Sequence, residues 1–73
     1  MKEDIYSKEH KMLIERIIKA RVEAGFSQTE AAKRMGKSQS YISKIEVGQR
    51  KIDVIELKKL SFIFNKPINY FLK

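Results

Sequence analysis

From Lys8 onward a spacing of three and four runs through Leu13, Ile17, Ala20 or Arg21, and Ala24, with Ile14, Ile18 and Val22 beside them. That spacing draws one stripe along a helix, and Gly25 supplies the left-handed residue that ends many helices. A first helix is therefore predicted over residues 8–24. Ser27 with Glu30 three positions later forms a capping box, in which hydroxyl and carboxylate each take up an orphan backbone N–H, and Phe26 is placed to staple against Ala31. This opens a second helix from Gln28 to Met35, turned by Gly36. Ser38 caps a third, from Gln39 to about Val47, stopped at Gly48, and Gln49 to Ile52 reads as loop. Asp53 and Glu56 repeat the capping-box spacing and open a fourth helix, whose Ile55, Leu57, Leu60, Ile63 and Phe64 give a broad apolar face. Asn65 suits the left-handed closing position, and Pro67 fits the first turn of a short fifth helix holding Ile68, Tyr70, Phe71 and Leu72. β-branched alternation never runs far enough to argue a strand. The expected fold is all-α, one five-helix domain over residues 1–73 with 1–7 as a frayed extension.

Composition narrows the chemistry. At 73 residues the chain is near the size where one apolar core only just outweighs conformational entropy. A deep catalytic cleft is not expected. There is no cysteine, so no disulfide or thiolate metal site can supplement the core, and His10 is the only histidine, with no second imidazole to join it. No apolar run approaches a membrane span and no charged leader precedes one, so the expectation is a soluble, cytoplasmic protein with no cofactor, no metal and no membrane partner. The net charge is +7 and unevenly distributed: residues 1–15 sum to −1, residues 16–51 carry nine Lys or Arg against three Glu for +6, and residues 52–73 add +2. A basic central segment is compatible with a nucleic-acid partner but does not by itself require one.

The central segment also carries an unusual composition. Where an ordinary surface helix has Glu and Lys, the segment after Gly36 has Ser38, Gln39, Ser40, Tyr41 and Ser43. Two helices of about eight residues joined by a tight glycine turn make a helix-turn-helix, with the motif over 27–47. Ala32, four residues before Gly36, lets the helices approach, and Ile42 and Ile45 face inward one turn apart. Gln39, Ser40, Ser43 and Lys44 are then left outside, as amides, hydroxyls and an ammonium that can address base edges where carboxylates would be repelled.

The stretch FSQTEAAKRMGKSQSYISKIEVGQR resembles the helix-turn-helix of the phage lambda repressor and Cro-like family, also called the xenobiotic response element (XRE) family of bacterial regulators. Phe26 takes the first motif position, and Ser27, Gln28, Ala32, Gly36, Ser38, Ile42, Ser43, Ile45, Glu46 and Gly48 match in register, with five helices in family order over residues 10–72. Ala31 stands where leucine is usual and Lys37 where an apolar residue is usual, which suggests a slightly looser core under helix two. The resemblance implies that Gln28 bonds a phosphate and braces Gln39, that Gln39 reaches bases, that Ser40 and Lys44 hold other base-facing positions, and that Tyr41 and Ser43 lie nearer the backbone or a thymine methyl. It also implies phosphate contacts from Ser27, Ser38, Gln49 and Arg50, and a charged pair between Arg21 and Glu46.

Each of these residues also has a plainer structural reading. Ser27 and Gln28 can serve as caps, Lys44 as a solvated lysine, Tyr41 as rim packing, Arg50 with Lys51 as a solvated loop, and Arg21 with Glu46 as an exposed bridge. Only the joint register sets them apart from a bland helical bundle. The expectation is a sequence-specific regulator of double-stranded DNA, acting as a homodimer on a palindromic operator. Ile68, Tyr70, Phe71 and Leu72 are assigned to the dimer surface, because a five-residue helix carries more apolar area than one small core can take; the plainer reading is that Ile68, Phe71 and Leu72 close the monomer's own core. A phage-type repressor, a restriction-modification controller and an antitoxin all fit this description. The alternative is a protein-interaction module, such as an antitoxin, in which DNA binding is secondary. An enzyme is set aside for want of a nucleophile and base or a metal cluster.

Overall fold

The computed structural model describes residues 7–72, so most of the proposed N-terminal extension lies outside the described residues. Five helices follow in order: α1 Lys8–Glu23, α2 Gln28–Met35, α3 Gln39–Glu46, α4 Val54–Ile63 and α5 Ile68–Leu72. The boundaries follow local chemistry. At the start of α1, Ser7 Oγ accepts from the His10 N–H at 3.1 Å. Ser27 Oγ does the same for Glu30 at 3.0 Å before α2, where only this hydroxyl half of the expected capping box forms, and at α4 both halves form between Asp53 and Glu56. Ser38 differs from its expected role. Its side chain makes no cap bond to the α3 backbone and pairs instead with Ser40 Oγ at 3.2 Å.

The first four helices end alike. After α2, Gly36 at φ 72° lets its own N–H reach the Lys33 carbonyl and the Lys37 N–H reach Ala32, at 3.1 and 2.9 Å, the paired closure of a Schellman turn. Asn65 at φ 58° makes the equivalent closure after α4, as its residue type suggested.

The core gathers Ile17 and Ala20 from α1, Ala31, Ala32 and Met35 from α2, Tyr41, Ile42 and Ile45 from α3, Leu57 and Leu60 from α4, and Phe64 and Phe71 from the last turns. Ala31 is fully covered, so the smaller residue leaves no opening at the surface. Phe26 packs on Phe64 with ring centroids 6.0 Å apart and lies beneath the Arg34 guanidinium at 4.6 Å. Two apolar expectations need correction. Ile55 is exposed, because α4 buries Leu57 and Leu60 and turns Ile55 and Phe62 outward. Phe71, assigned above to a dimer surface, lies in the protein's own core at 2% exposure.

Candidate nucleic-acid interface

The exposed side of α3 is built on its buried side. Tyr41, Ile42 and Ile45 anchor the helix in the core, and this leaves Gln39, Ser40 and Lys44 exposed with Ser43 half-buried. The first of these is held by a chain of side chains running inward. Gln39 Nε2 donates to Gln28 Oε1 at 2.6 Å, and Gln28 Nε2 donates to Glu46 Oε1 at 2.8 Å. The Glu46 carboxylate in turn takes the Arg21 guanidinium in a forked pair, Nε to Oε2 at 2.7 Å and Nη2 to Oε1 at 3.2 Å. Arg21 also donates through Nη1 to the Phe26 carbonyl at 2.8 Å, which ties the entrance of the motif to α1. The pair is no exposed bridge: the Arg21 and Glu46 side chains are 15% and 5% exposed.

The consequence is geometric. An amide at the first turn of α3 has many rotamers in isolation, and this chain selects one, because Gln28 offers its oxygen only while its nitrogen is committed to Glu46. Gln39 therefore presents its remaining amide groups from a fixed position. That Gln28 braces Gln39, and that Arg21 meets Glu46, was implied by the family register; the route joining all four through Glu46 was not.

The other residues assigned to DNA divide into two groups. Ser27, Ser38 and Gln49 are exposed around the motif, and Lys33 and Lys37 add charge on the exposed surface of α2 and its turn. Arg50 and Tyr41 sit differently. Arg50 Nη2 is paired to Glu56 Oε2 at 2.6 Å, and its guanidinium lies 4.8 Å from the centre of the Tyr41 ring, which Lys37 also covers at 5.3 Å. The Tyr41 ring is buried, and its hydroxyl is closed to solvent beside Glu56 without a hydrogen bond of good geometry. Tyr41 is thus the platform on which Arg50 and Lys37 rest rather than an open phosphate ligand. Glu56, chosen from sequence only as a cap, is the residue that orients Arg50. A contact six residues apart across a loop leaves no periodic mark in the chain.

This cluster makes stability depend on pH in a definite window. Burial first, and the nearby Glu56 next, push the Tyr41 hydroxyl up to about 12 from 10.0. For Glu56, burial works to raise the carboxyl, but the Asp53 backbone N–H, Tyr41 and Arg50 together hold it below 4.5. The folded chain thus binds the Glu56 proton less tightly than the unfolded chain does, and the Tyr41 proton more tightly. The contribution of Glu56 is complete above pH 4.5 and is lost as pH falls, and that of Tyr41 is complete below pH 10.0 and is lost as pH rises. Thermal melts across pH should show Glu56→Gln flattening the acid limb and, by removing one cause of the Tyr41 shift, lessening the alkaline limb, while Tyr41→Phe flattens the alkaline limb and leaves an acid limb that Asp53 and Arg50 still support.

Among the described residues no helix is long and apolar enough to cross a membrane, and no group of three or more His, Asp or Glu is arranged to hold a metal ion. A short helix anchored by its apolar side, a glycine turn before it and an exposed set of amide, hydroxyl and ammonium groups define a helix-turn-helix DNA-binding domain. Comparison with known families makes this specific, since residues 17–71 match the family described as helix-turn-helix. The chain belongs to that family, in its Cro/C1-type or XRE branch, a family of DNA-binding transcription regulators and not of enzymes. Among curated proteins none matches the chain.

Proposed function

We propose that the protein is a sequence-specific regulator that sets α3 into the major groove of double-stranded DNA and binds a palindromic operator as a homodimer in the cytoplasm. The observation that carries this reading is the fixed Gln39 amide at the exposed start of α3, held through Gln28, Glu46 and Arg21. A glutamine so placed pairs bidentately with adenine N6 and N7, and Lys44, one turn and a residue further on, suits guanine O6 or N7. Ser40 and Ser43 complete the base-facing set. Ser27, Ser38, Gln49 and the free amide capacity of Gln28 lie around it as phosphate contacts that set register without reading sequence. Arg50 contributes to the same boundary in an orientation set by Glu56.

Homodimerisation follows from the small reach of one recognition helix, because two copies about 34 Å apart multiply the base pairs read. The apolar groups available for it are Ile68 and Leu72, with Met12 beside the groove between α1 and α5.

Selecting bound sequences from random duplex DNA tests function and yields the site. The enriched pool should be palindromic, and Gln39→Ala should lower affinity for it by about 1 to 3 kcal/mol while relaxing preference at one base pair of each half-site. Equal weakening on all sequences would make Gln39 a positioning contact, and failure to enrich any sequence would refute the reading.

A further inference from the structure

The outer side of α4 carries a feature that DNA recognition leaves unexplained. Phe62 is 86% exposed and Ile55 57% exposed. Seven residues apart, they stand on one stripe of the helix, about 10 Å from each other along its axis. Between them and the end of α2 runs an open groove of about 430 Å³ lined by Met35 and Ile63 as well, and its other lining residues are Arg34, Lys58 and Lys59. No carboxylate lines it. Lys58 and Lys59 make no ion pair among the described residues, and Arg34 makes only its contact over Phe26.

Leaving a phenylalanine in water costs the transfer free energy that burying it would recover, and single exposed apolar residues are common enough to need no explanation. An aromatic and an aliphatic side chain on one stripe over an apolar floor, rimmed by three cations, are a different arrangement. They match the layout of an interface with an apolar centre and a polar rim. The charge selects the occupant. A second copy docked here about a twofold axis would bring each set of Arg34, Lys58 and Lys59 against its own image, and like charges facing each other across an interface disfavour it. Nucleic acid would satisfy the cations but has no apolar groups to cover Phe62 and Ile55 together.

We propose that this groove between α2 and α4 docks an acidic amphipathic helix of another protein, with apolar anchors about two turns apart seated between Phe62 and Ile55 and carboxylates meeting Arg34, Lys58 and Lys59. Apolar anchors laid at helical spacing into a groove are a recurrent mode of peptide recognition. Neither Gln39 nor Lys44 lines the groove, so a partner bound there adds a second input to a DNA-bound regulator.

The test uses the full chain as bait for a display library of random 16-residue peptides, with Phe62→Ala and the double variant Lys58→Glu, Lys59→Glu as counter-baits. These surface positions leave the core untouched, and circular dichroism of each variant checks that it folds. Enriched peptides should carry two apolar residues at helical spacing with flanking Asp or Glu. A synthesised winner should bind by fluorescence anisotropy about thirtyfold more weakly to Phe62→Ala, the loss typical of a central aromatic anchor, and should weaken with added salt. Enrichment of neutral or basic peptides, or binding indifferent to Phe62, would overturn the proposal. So would a fall in sedimentation mass or in DNA affinity caused by Phe62→Ala, because either would assign the groove to self-association or to DNA.

Discussion

Glu46→Ala should lower the unfolding free energy by about 3 to 5 kcal/mol and remove operator preference in the same step. The stability loss arises because, among the described residues, Glu46 is the only carboxylate partner of Arg21, whose guanidinium would be left there with the Phe26 carbonyl alone in a nearly closed site. Small domains are stable by only about 5 to 15 kcal/mol, so a change of this size consumes much of the margin. The recognition loss has a separate cause. Without Glu46, Gln28 Nε2 loses its acceptor, Gln28 is free to turn, and Gln39 loses the 2.6 Å bond that fixes its amide. The two effects are separable. In the double variant Arg21→Met, Glu46→Leu an apolar pair replaces the buried ions, which commonly restores stability, yet Gln28 still lacks its anchor. Urea denaturation should therefore return close to the unmodified value while discrimination between the selected operator and a scrambled duplex stays low. A Glu46→Ala protein as stable and as selective as the original would show that the pair is inert.

The sequence disclosed some of this arrangement more readily than the rest, for physical reasons. Helix starts at Ser27 and Asp53 were legible because a cap is a contact between residues three apart, and stops at Gly36 and Gly48 because a positive φ is a demand on residue type. Ser38 shows the limit of that logic. The right residue at the right place pairs its hydroxyl with Ser40 Oγ instead of accepting from an α3 backbone N–H, a choice between two local hydrogen-bond partners. The apolar face of α4 was harder still. Val54, Ile55, Leu57, Leu60, Phe62 and Ile63 encircle the helix, so no periodicity names the buried side; it is set by what the helix packs against. The side buries Leu57 and Leu60, and the large aromatic Phe62 goes outward. Likewise the Tyr41, Arg50 and Glu56 cluster depends on how the loop after α3 folds back onto α4, which residue spacing does not encode.

Two neighbouring residues of α5 can separate folding from the proposed dimerisation. Phe71→Ala should cost about 3 to 5 kcal/mol, the usual range for emptying a buried phenylalanine site. α5 has five residues, too few to be helical without tertiary support. What holds it is Phe71 in the core and the Arg16 guanidinium donating to the Tyr70 carbonyl at 2.9 Å. Losing Phe71 should release the whole segment and uncover the sides of α1 and α4 that α5 packs against, so the variant should melt early and broadly. Leu72, one residue on, is 65% exposed, and a surface substitution there normally changes stability by less than about 0.5 kcal/mol. Leu72→Glu should keep the melting profile of the unmodified chain. If Ile68 and Leu72 face a twofold mate, it should also sediment as a monomer at concentrations where the original is dimeric, and bind a palindromic operator without cooperativity. A Leu72→Glu protein that keeps its dimer mass would move the dimer surface elsewhere on the molecule, while the place of Phe71 in the monomer core would stand unchanged.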